Sequence, residues 1–168
     1  MKFLTGFSVA VLIATLSAFI GKNQTTEGLK IGEKAPNIKF EITNGASTTP
    51  FSLAQLQGKY VLVNFWASYD AFSRMQNAGF SNILKQYSKV EFVSVSFDEY
   101  SSIFSETIRR DQVSTPTCFV DTKGVSSPVF RTYKLEKGFT NYLLNSEGVI
   151  IAKDLLPTDL SRYISAQG

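Results

Sequence analysis

The sequence contains no histidine and a single cysteine, Cys118. Without histidine there is no imidazole general base, no Ser-His or Cys-His nucleophile and no histidine metal ligand. A lone cysteine excludes an intramolecular disulfide and any metal site built from several thiolates. We therefore predict neither a metal nor a cofactor. Any thiol chemistry would have to be carried out by Cys118.

Charge is also scarce. The 168 residues include 17 basic and 14 acidic side chains, for a net charge of +3, and there is no basic run. This balance is too weak to favour nucleic acid as a partner. The hydrophobic content of 43% supports a real core, and the length suits one domain.

The first residues have the pattern of a targeting segment. Lys2 precedes an apolar run from Phe3 to Ile20 that is interrupted only by threonine, serine and glycine. We predict a signal peptide or an N-terminal anchor over residues 1–22, a polar linker over 23–34 and a globular domain over 35–168. The chain would then be exported to the periplasm or cell envelope, with a membrane tether only through its N-terminal segment.

The central stretch, Lys59 to Arg74, predicts a buried strand that runs into a helix. The apolar run Val61–Val63 continues into Phe65 and Trp66 and is followed by a turn of small residues. Helix N-termini at such strand ends often carry function in α/β folds. Apolar residues at helical spacing then predict the buried face of the helix, namely Phe72, Met75, Phe80, Ile83, Leu84 and Tyr87.

The remaining patterns alternate between strands and helices in the order ββα, βαβα, ββα. This order predicts an α/β fold with a central mixed sheet and helices on both faces. The further strands are expected at Ile38–Ile42, Val90–Phe97, Thr117–Val120, Thr140–Leu144 and Val149–Ala152.

Four segments together resemble thioredoxin-like proteins of the TlpA/ResA type, within the AhpC/TSA-redoxin superfamily. The resemblance covers about residues 30 to 168 and implies a thioredoxin-like fold in an extracytoplasmic thiol-disulfide oxidoreductase. It is carried by Gly32–Pro36, Ser52–Lys59, Val61–Tyr69 and Tyr133–Gly148.

The residues that carry the activity of that family are absent. Where it has Cys-x-x-Cys, this chain has Asp70-Ala71-Phe72-Ser73. Disulfide exchange needs one thiol to attack and a second to resolve the mixed disulfide. Asp70 and Ser73 can do neither.

The cis-proline that faces the two cysteines in the family also has no counterpart in the preferred alignment. That alignment places Phe139 at its position, and a cis bond before a non-proline residue costs about 2.5–4 kcal/mol, so a trans bond is expected. In the alternative alignment Pro116 would face Asp70 and would bring Cys118 near the site.

The candidate site residues allow two interpretations each. Asp70 is either a helix N-cap or a functional carboxylate, and Ser73 is a residue of the first helical turn. Cys118 is either a small buried hydrophobe or a reactive thiol. A peptide-binding groove is predicted at Trp66, Tyr69, Asp70, Phe72, Phe139 and Thr140, although the aromatic residues could instead belong to the core.

Three functions follow from these alternatives. The preferred one is a redox-inactive, exported module that binds an unidentified peptide or protein partner. The second is a residual thiol oxidoreductase or peroxidase that uses Cys118 alone. The third is a structural component of an envelope assembly.

Overall fold

The computed structural model describes residues 25–44 and 47–165, so the predicted targeting segment at 1–22 lies outside the described residues. Within those ranges the α-helices are α1 (Ala71–Leu84), α2 (Ser101–Arg110), α3 (Pro128–Thr132) and α4 (Pro157–Ser165). The strands are β1 (Lys39–Asn44), β2 (Ser47–Ser52), β3 (Tyr60–Trp66), β4 (Val90–Ser96), β5 (Cys118–Val120), β6 (Asn141–Leu144) and β7 (Ile150–Lys153).

Strand β3 is the centre of a five-stranded mixed sheet with the order β5-β4-β3-β6-β7. It runs parallel to β4, with Val63 opposite Val93, and antiparallel to β6, with Val63 opposite Tyr142. Because β6 runs the other way, the start of β6 lies at the carboxyl end of β3. The α/β fold with a mixed sheet is confirmed.

The two faces of the sheet are covered by different elements. Val61, Val63 and Phe65 belong to a core cluster that includes Phe130 of α3 and Phe51 of β2, which with β1 forms a separate hairpin. Because side chains alternate along a strand, the β3 residues between these three point to the opposite face. There Leu62 joins residues of α1 and α4 in a second cluster, which also contains Phe80, Phe92, Leu143, Leu155 and Leu160.

The predicted buried face of α1 is wrong in its first half. Phe72 and Met75 are 57% and 63% exposed. Polar side chains are buried in their place because β3 and β4 present polar groups to this part of the helix, including Asn64. The buried residues of α1 are Ser73, Gln76, Asn77, Phe80 and Ser81.

Residues 25–34, which were predicted to form part of a linker, pack onto the domain. Gly32 N donates to the carbonyl of Ile150 at 2.8 Å, and Lys34 forms an isolated bridge with Val149. Leu29 also packs against the core cluster. In the described part of the chain, no helix combines the length and the hydrophobicity needed to cross a membrane.

Candidate functional site

The candidate site lies where β3 ends and α1 begins. Asp70 is the N-cap of α1 and has an extended backbone, with φ −96° and ψ 101°. Its Oδ1 accepts a hydrogen bond from the backbone N of Ser73 at 2.8 Å, and the Ser73 hydroxyl lies 3.3 Å from the Asp70 carbonyl, to which it donates. Ser73 is only 2% exposed. The helix N-terminus is thus occupied by the chain's own carboxylate and contains no thiol.

A second carboxylate, Asp98, fixes the turn that leads to Asp70. Its Oδ1 accepts hydrogen bonds from the backbone N of Ser68 at 2.9 Å and from the Ser68 hydroxyl at 2.6 Å. Its Oδ2 accepts from the Ser96 hydroxyl at 2.7 Å, and the side chain is buried. The sequence patterns did not identify Asp98 as a site residue. Its position two residues after the end of β4, at the same sheet edge as Asp70, was the available signal.

A groove with a cavity of about 550 Å³ opens beside Asp70. The Tyr69 side chain forms one wall and is 69% exposed, and its ring centroid lies 6.2 Å from that of Phe139. Burial and then the nearby acidic groups, led by Asp98, raise the pKa of Tyr69. We call this cavity the aromatic groove; its lining is Tyr69, Asp70, Val125, Phe130, Arg131, Leu135, Glu136, Gly138 and Phe139.

Phe139 packs against two other aromatic rings at this groove. Its ring stacks on Phe97 with centroids 6.2 Å apart and meets Phe130 edge-on at 6.3 Å. The next residue, Thr140, accepts a hydrogen bond from the backbone N of Phe65 through its carbonyl at 3.0 Å, and its hydroxyl donates to Asp154. No cis peptide bond occurs within residues 25–44 and 47–165, so the bond before Phe139 is trans.

The competing alignment with Pro116 does not fit this geometry. Pro116 precedes β5, where the carbonyl of Thr117 accepts from the backbone N of Ser94. It therefore lies at the amino end of a strand that runs parallel to β4. The structure places Phe139, and not Pro116, beside Asp70.

Trp66 does not line the groove, so this part of the prediction is wrong. Its side chain is fully buried, donates from Nε1 to the Ser94 hydroxyl at 2.9 Å and packs near Phe104. The alternation along β3 turns Trp66 away from the face that carries Phe65. Phe72 and Thr140 are also not among the residues that line the groove, although Phe72 is exposed on the first turn of α1, two residues after Asp70.

Cys118 lies apart from the site. It is partly buried on β5, which is separated from β3 by β4. In the register Cys118 is opposite Ser94 of β4, which is in turn opposite Asn64 of β3. Burial raises the pKa of the Cys118 thiol to about 11, while a hydrogen bond with Ser94 acts in the opposite direction. The thiol is therefore protonated near neutral pH, which disfavours nucleophilic chemistry.

In residues 25–44 and 47–165, no three or more histidine, cysteine, aspartate or glutamate side chains converge in a way that could hold a metal ion. The carboxylates of Asp70 and Asp98 accept hydrogen bonds from the backbone and from hydroxyl groups. Their observed contacts are structural.

A sheet of this order, with a β3–α1 corner facing the segment before β6, defines the thioredoxin-like class of proteins. The AhpC/TSA family model matches residues 31–153. The chain belongs to the AhpC/TSA family.

Two curated proteins of Bacillus subtilis (strain 168) are similar to the chain. Thioredoxin-like protein YneN is 27% identical over 130 residues, which cover 73% of this chain and 70% of YneN. Thiol-disulfide oxidoreductase ResA is 28% identical over 137 residues, which cover 80% of this chain and 70% of ResA.

Solved structures agree on the fold. A thioredoxin-like protein from Parabacteroides distasonis ATCC 8503 is 37% identical, with a TM-score of 0.73 over 84% of this chain and 99% of that one. The C-terminal domain of a putative thiol-disulfide oxidoreductase from Bacteroides thetaiotaomicron is 30% identical, with a TM-score of 0.68 over 82% and 95% of the two chains.

Proposed function

We propose that this chain is a redox-inactive member of its family that binds an extended peptide segment of a partner protein in the aromatic groove. The observation that carries this proposal is the hydrogen bond from Ser73 N to Asp70 Oδ1, at the positions where the family has its two cysteines. Disulfide exchange needs thiols there. The scaffold around these positions is intact, so the feature that remains usable is its binding surface.

The surface at the groove suits an apolar peptide side chain. Tyr69 and Phe72, three positions apart at the β3–α1 corner, are both more than half exposed, and Met75 continues the apolar surface along α1. Exposed apolar side chains that cluster around a concavity mark interaction sites in soluble proteins. Phe139 is fixed by Phe97 and Phe130, so its wall of the groove needs little reorganisation on binding.

A redox assay tests the first half of the proposal. Insulin reduction by dithiothreitol should proceed no faster with this protein than with dithiothreitol alone, whereas ResA serves as the positive control. Turnover that disappears in Cys118→Ser would contradict the proposal and would support the alternative in which Cys118 acts alone.

A binding assay tests the second half. Peptides selected on the purified domain from a random phage-displayed library should lose affinity in Tyr69→Ala and Phe72→Ala, by about fivefold or more for an aromatic anchor. Asn82→Ala is the matched control, because Asn82 is exposed on the same helix and lies about 15 Å along the axis from Phe72. Equal losses in all three variants would refute binding at the groove.

We propose the periplasm or cell envelope as the compartment, with residues 1–22 as the export signal or tether. Alkaline phosphatase fused after the domain should be active in cells and inactive when residues 1–22 are deleted. Activity that survives this deletion would exclude the segment as the export signal.

A further inference from the structure

A second cavity, of about 590 Å³, adjoins the aromatic groove and shares Gly138 and Phe139 with it. We call it the lysine pocket. Its lining contains four lysines and two carboxylates. The lysines, all of which are exposed, are Lys30, Lys134, Lys137 and Lys153.

The two carboxylates of the pocket offset half of this positive charge and leave an excess of two lysines. Glu33 accepts a hydrogen bond from the backbone N of Lys30 at 2.8 Å. Asp154 accepts from the Thr140 hydroxyl and lies 3.8 Å from Lys153 Nζ. Lys30, Lys134 and Lys137 form no ion pair with any carboxylate in the part of the chain that the structure describes.

The floor of the pocket is aromatic and neutral. Tyr133 is buried and its hydroxyl donates to the carbonyl of Pro36 at 2.5 Å. Tyr142 is also buried, and burial raises its pKa to about 12. Neither tyrosine therefore supplies a phenolate that would offset the lysines at neutral pH.

One backbone conformation at the same pocket is unusual for its side chain. Among the described residues, positive φ at a non-glycine residue occurs at Gln112, Lys134 and Asp154, and the last two line this pocket. Lys134 has φ 54° and ψ 41°, the left-handed conformation that side chains other than asparagine and aspartate seldom adopt. Such strain is frequent at ligand sites, which agrees with a placement of Lys134 for binding.

We propose that the lysine pocket receives the carboxylates of an acidic stretch in the same peptide whose apolar side chain occupies the aromatic groove. This inference rests on the proposed peptide binding and adds that the bound peptide is acidic. The shared Gly138–Phe139 wall lets one extended segment contact both cavities. The excess of lysine over carboxylate is complementary to glutamate and aspartate side chains, and a positively charged pocket also steers an acidic partner to the groove.

The test uses short fluorescent peptides that carry one aromatic residue followed by a run of glutamates, serines or lysines. Binding of the glutamate peptide is measured by fluorescence anisotropy for the wild type and for the double variant Lys134→Asn, Lys137→Gln. Asparagine tolerates the left-handed backbone at position 134. Lys85→Gln with Lys89→Gln is the control, because it removes the same charge from two exposed lysines at the far end of α1.

The glutamate peptide should bind more tightly than the other two, and the pocket variant should weaken it about three- to tenfold, as expected for two partly solvated ion pairs. The control should change little, and salt should reduce the difference between wild type and pocket variant. Citrate alone should compete only weakly, because it cannot occupy the aromatic groove.

Failures of the two proposals give different results. If the serine and glutamate peptides bind equally and the pocket variant changes nothing, the lysine pocket proposal is overturned while groove binding stands. If Tyr69→Ala leaves the affinity unchanged but the pocket variant abolishes it, groove binding fails and the anion site stands. If citrate competes as well as the peptide, the ligand of the pocket is a free polycarboxylate, and the proposal that a peptide supplies the carboxylates is overturned.

Discussion

Asp70 and Ser73 are joined by a hydrogen bond of 2.8 Å from the backbone N of Ser73 to the carboxylate of Asp70, at the N-terminus of the helix that follows the central strand. Disulfide exchange needs two thiols, and neither of these residues supplies one. In this chain the same positions satisfy a backbone donor that would otherwise lack a partner in the first turn of α1. Both residues therefore stabilise the start of α1.

Removal of the Asp70 carboxylate should destabilise the protein. Asp70→Ala loses the cap on Ser73 N and should lower the free energy of unfolding by about 0.5–2 kcal/mol. Asp70→Asn keeps an acceptor and should lose only a small part of that. Urea denaturation of both variants checks this, and an Asp70→Ala variant as stable as the wild type would show that the cap contributes nothing.

Cysteines introduced at positions 70 and 73 should give the protein disulfide-exchange activity. In the double variant Asp70→Cys, Ser73→Cys, the helix N-terminus favours the thiolate of the first cysteine. We expect an internal disulfide under oxidising conditions and faster insulin reduction than in the wild type. The single variant Asp70→Cys, which lacks the resolving thiol, is the control. Failure to form the disulfide in a glutathione redox buffer would show that the β3–α1 corner has diverged too far for exchange.

Sequence patterns predicted the central strand and its corner because Val61–Val63 is apolar and Asp70 is a favourable N-cap. They did not predict the orientation of α1, whose buried side chains include the polar Gln76 and Asn77. Polar residues become buried only where another element supplies partners, and Ser94 is far from Asn77 in sequence. The lysine pocket was missed for a similar reason, since Lys30 and Lys153 meet only through the fold.

The buried polar contacts behind the site should be important for stability. Asn77 Oδ1 accepts from Asn64 Nδ2 at 3.1 Å and from the Ser94 hydroxyl at 2.8 Å. Asn77→Ala removes the acceptor and should cost about 1–3 kcal/mol, because buried donors lose their partner. Trp66, the one tryptophan of the chain, donates to Ser94, so its fluorescence reports the change.

Asn82→Ala is the matched control for Asn77→Ala, because Asn82 is exposed on the same helix. Its unfolding midpoint and its tryptophan emission should both remain close to those of the wild type. Equal stability of the two variants would show that the contacts of Asn77 are replaced by other groups.

Alkaline pH should destabilise the fold partly through Cys118. Burial raises the pKa of this thiol from 9.0 to about 11, so the folded state holds the proton more tightly than the unfolded chain. The stabilisation is complete below about pH 9 and is lost as the pH rises towards 11, with a size of roughly 2–3 kcal/mol. Tyr142, whose pKa is raised from 10.0 to about 12 by burial, adds a loss that begins near pH 10 and extends to about pH 12.

Comparison of Cys118→Ala with the wild type isolates the thiol. Between pH 9 and 11 the free energy of unfolding of the wild type should fall more steeply than that of the variant, because only the wild type can deprotonate the unfolded thiol at position 118. Over the same interval, the rate of alkylation of the folded wild type by iodoacetamide should rise about ninefold from pH 9 to 10 and about fivefold from pH 10 to 11, since the thiolate is the nucleophile. Parallel stability curves, or an alkylation rate that levels off near pH 9, would mean that Cys118 is not shielded from water as the structure shows.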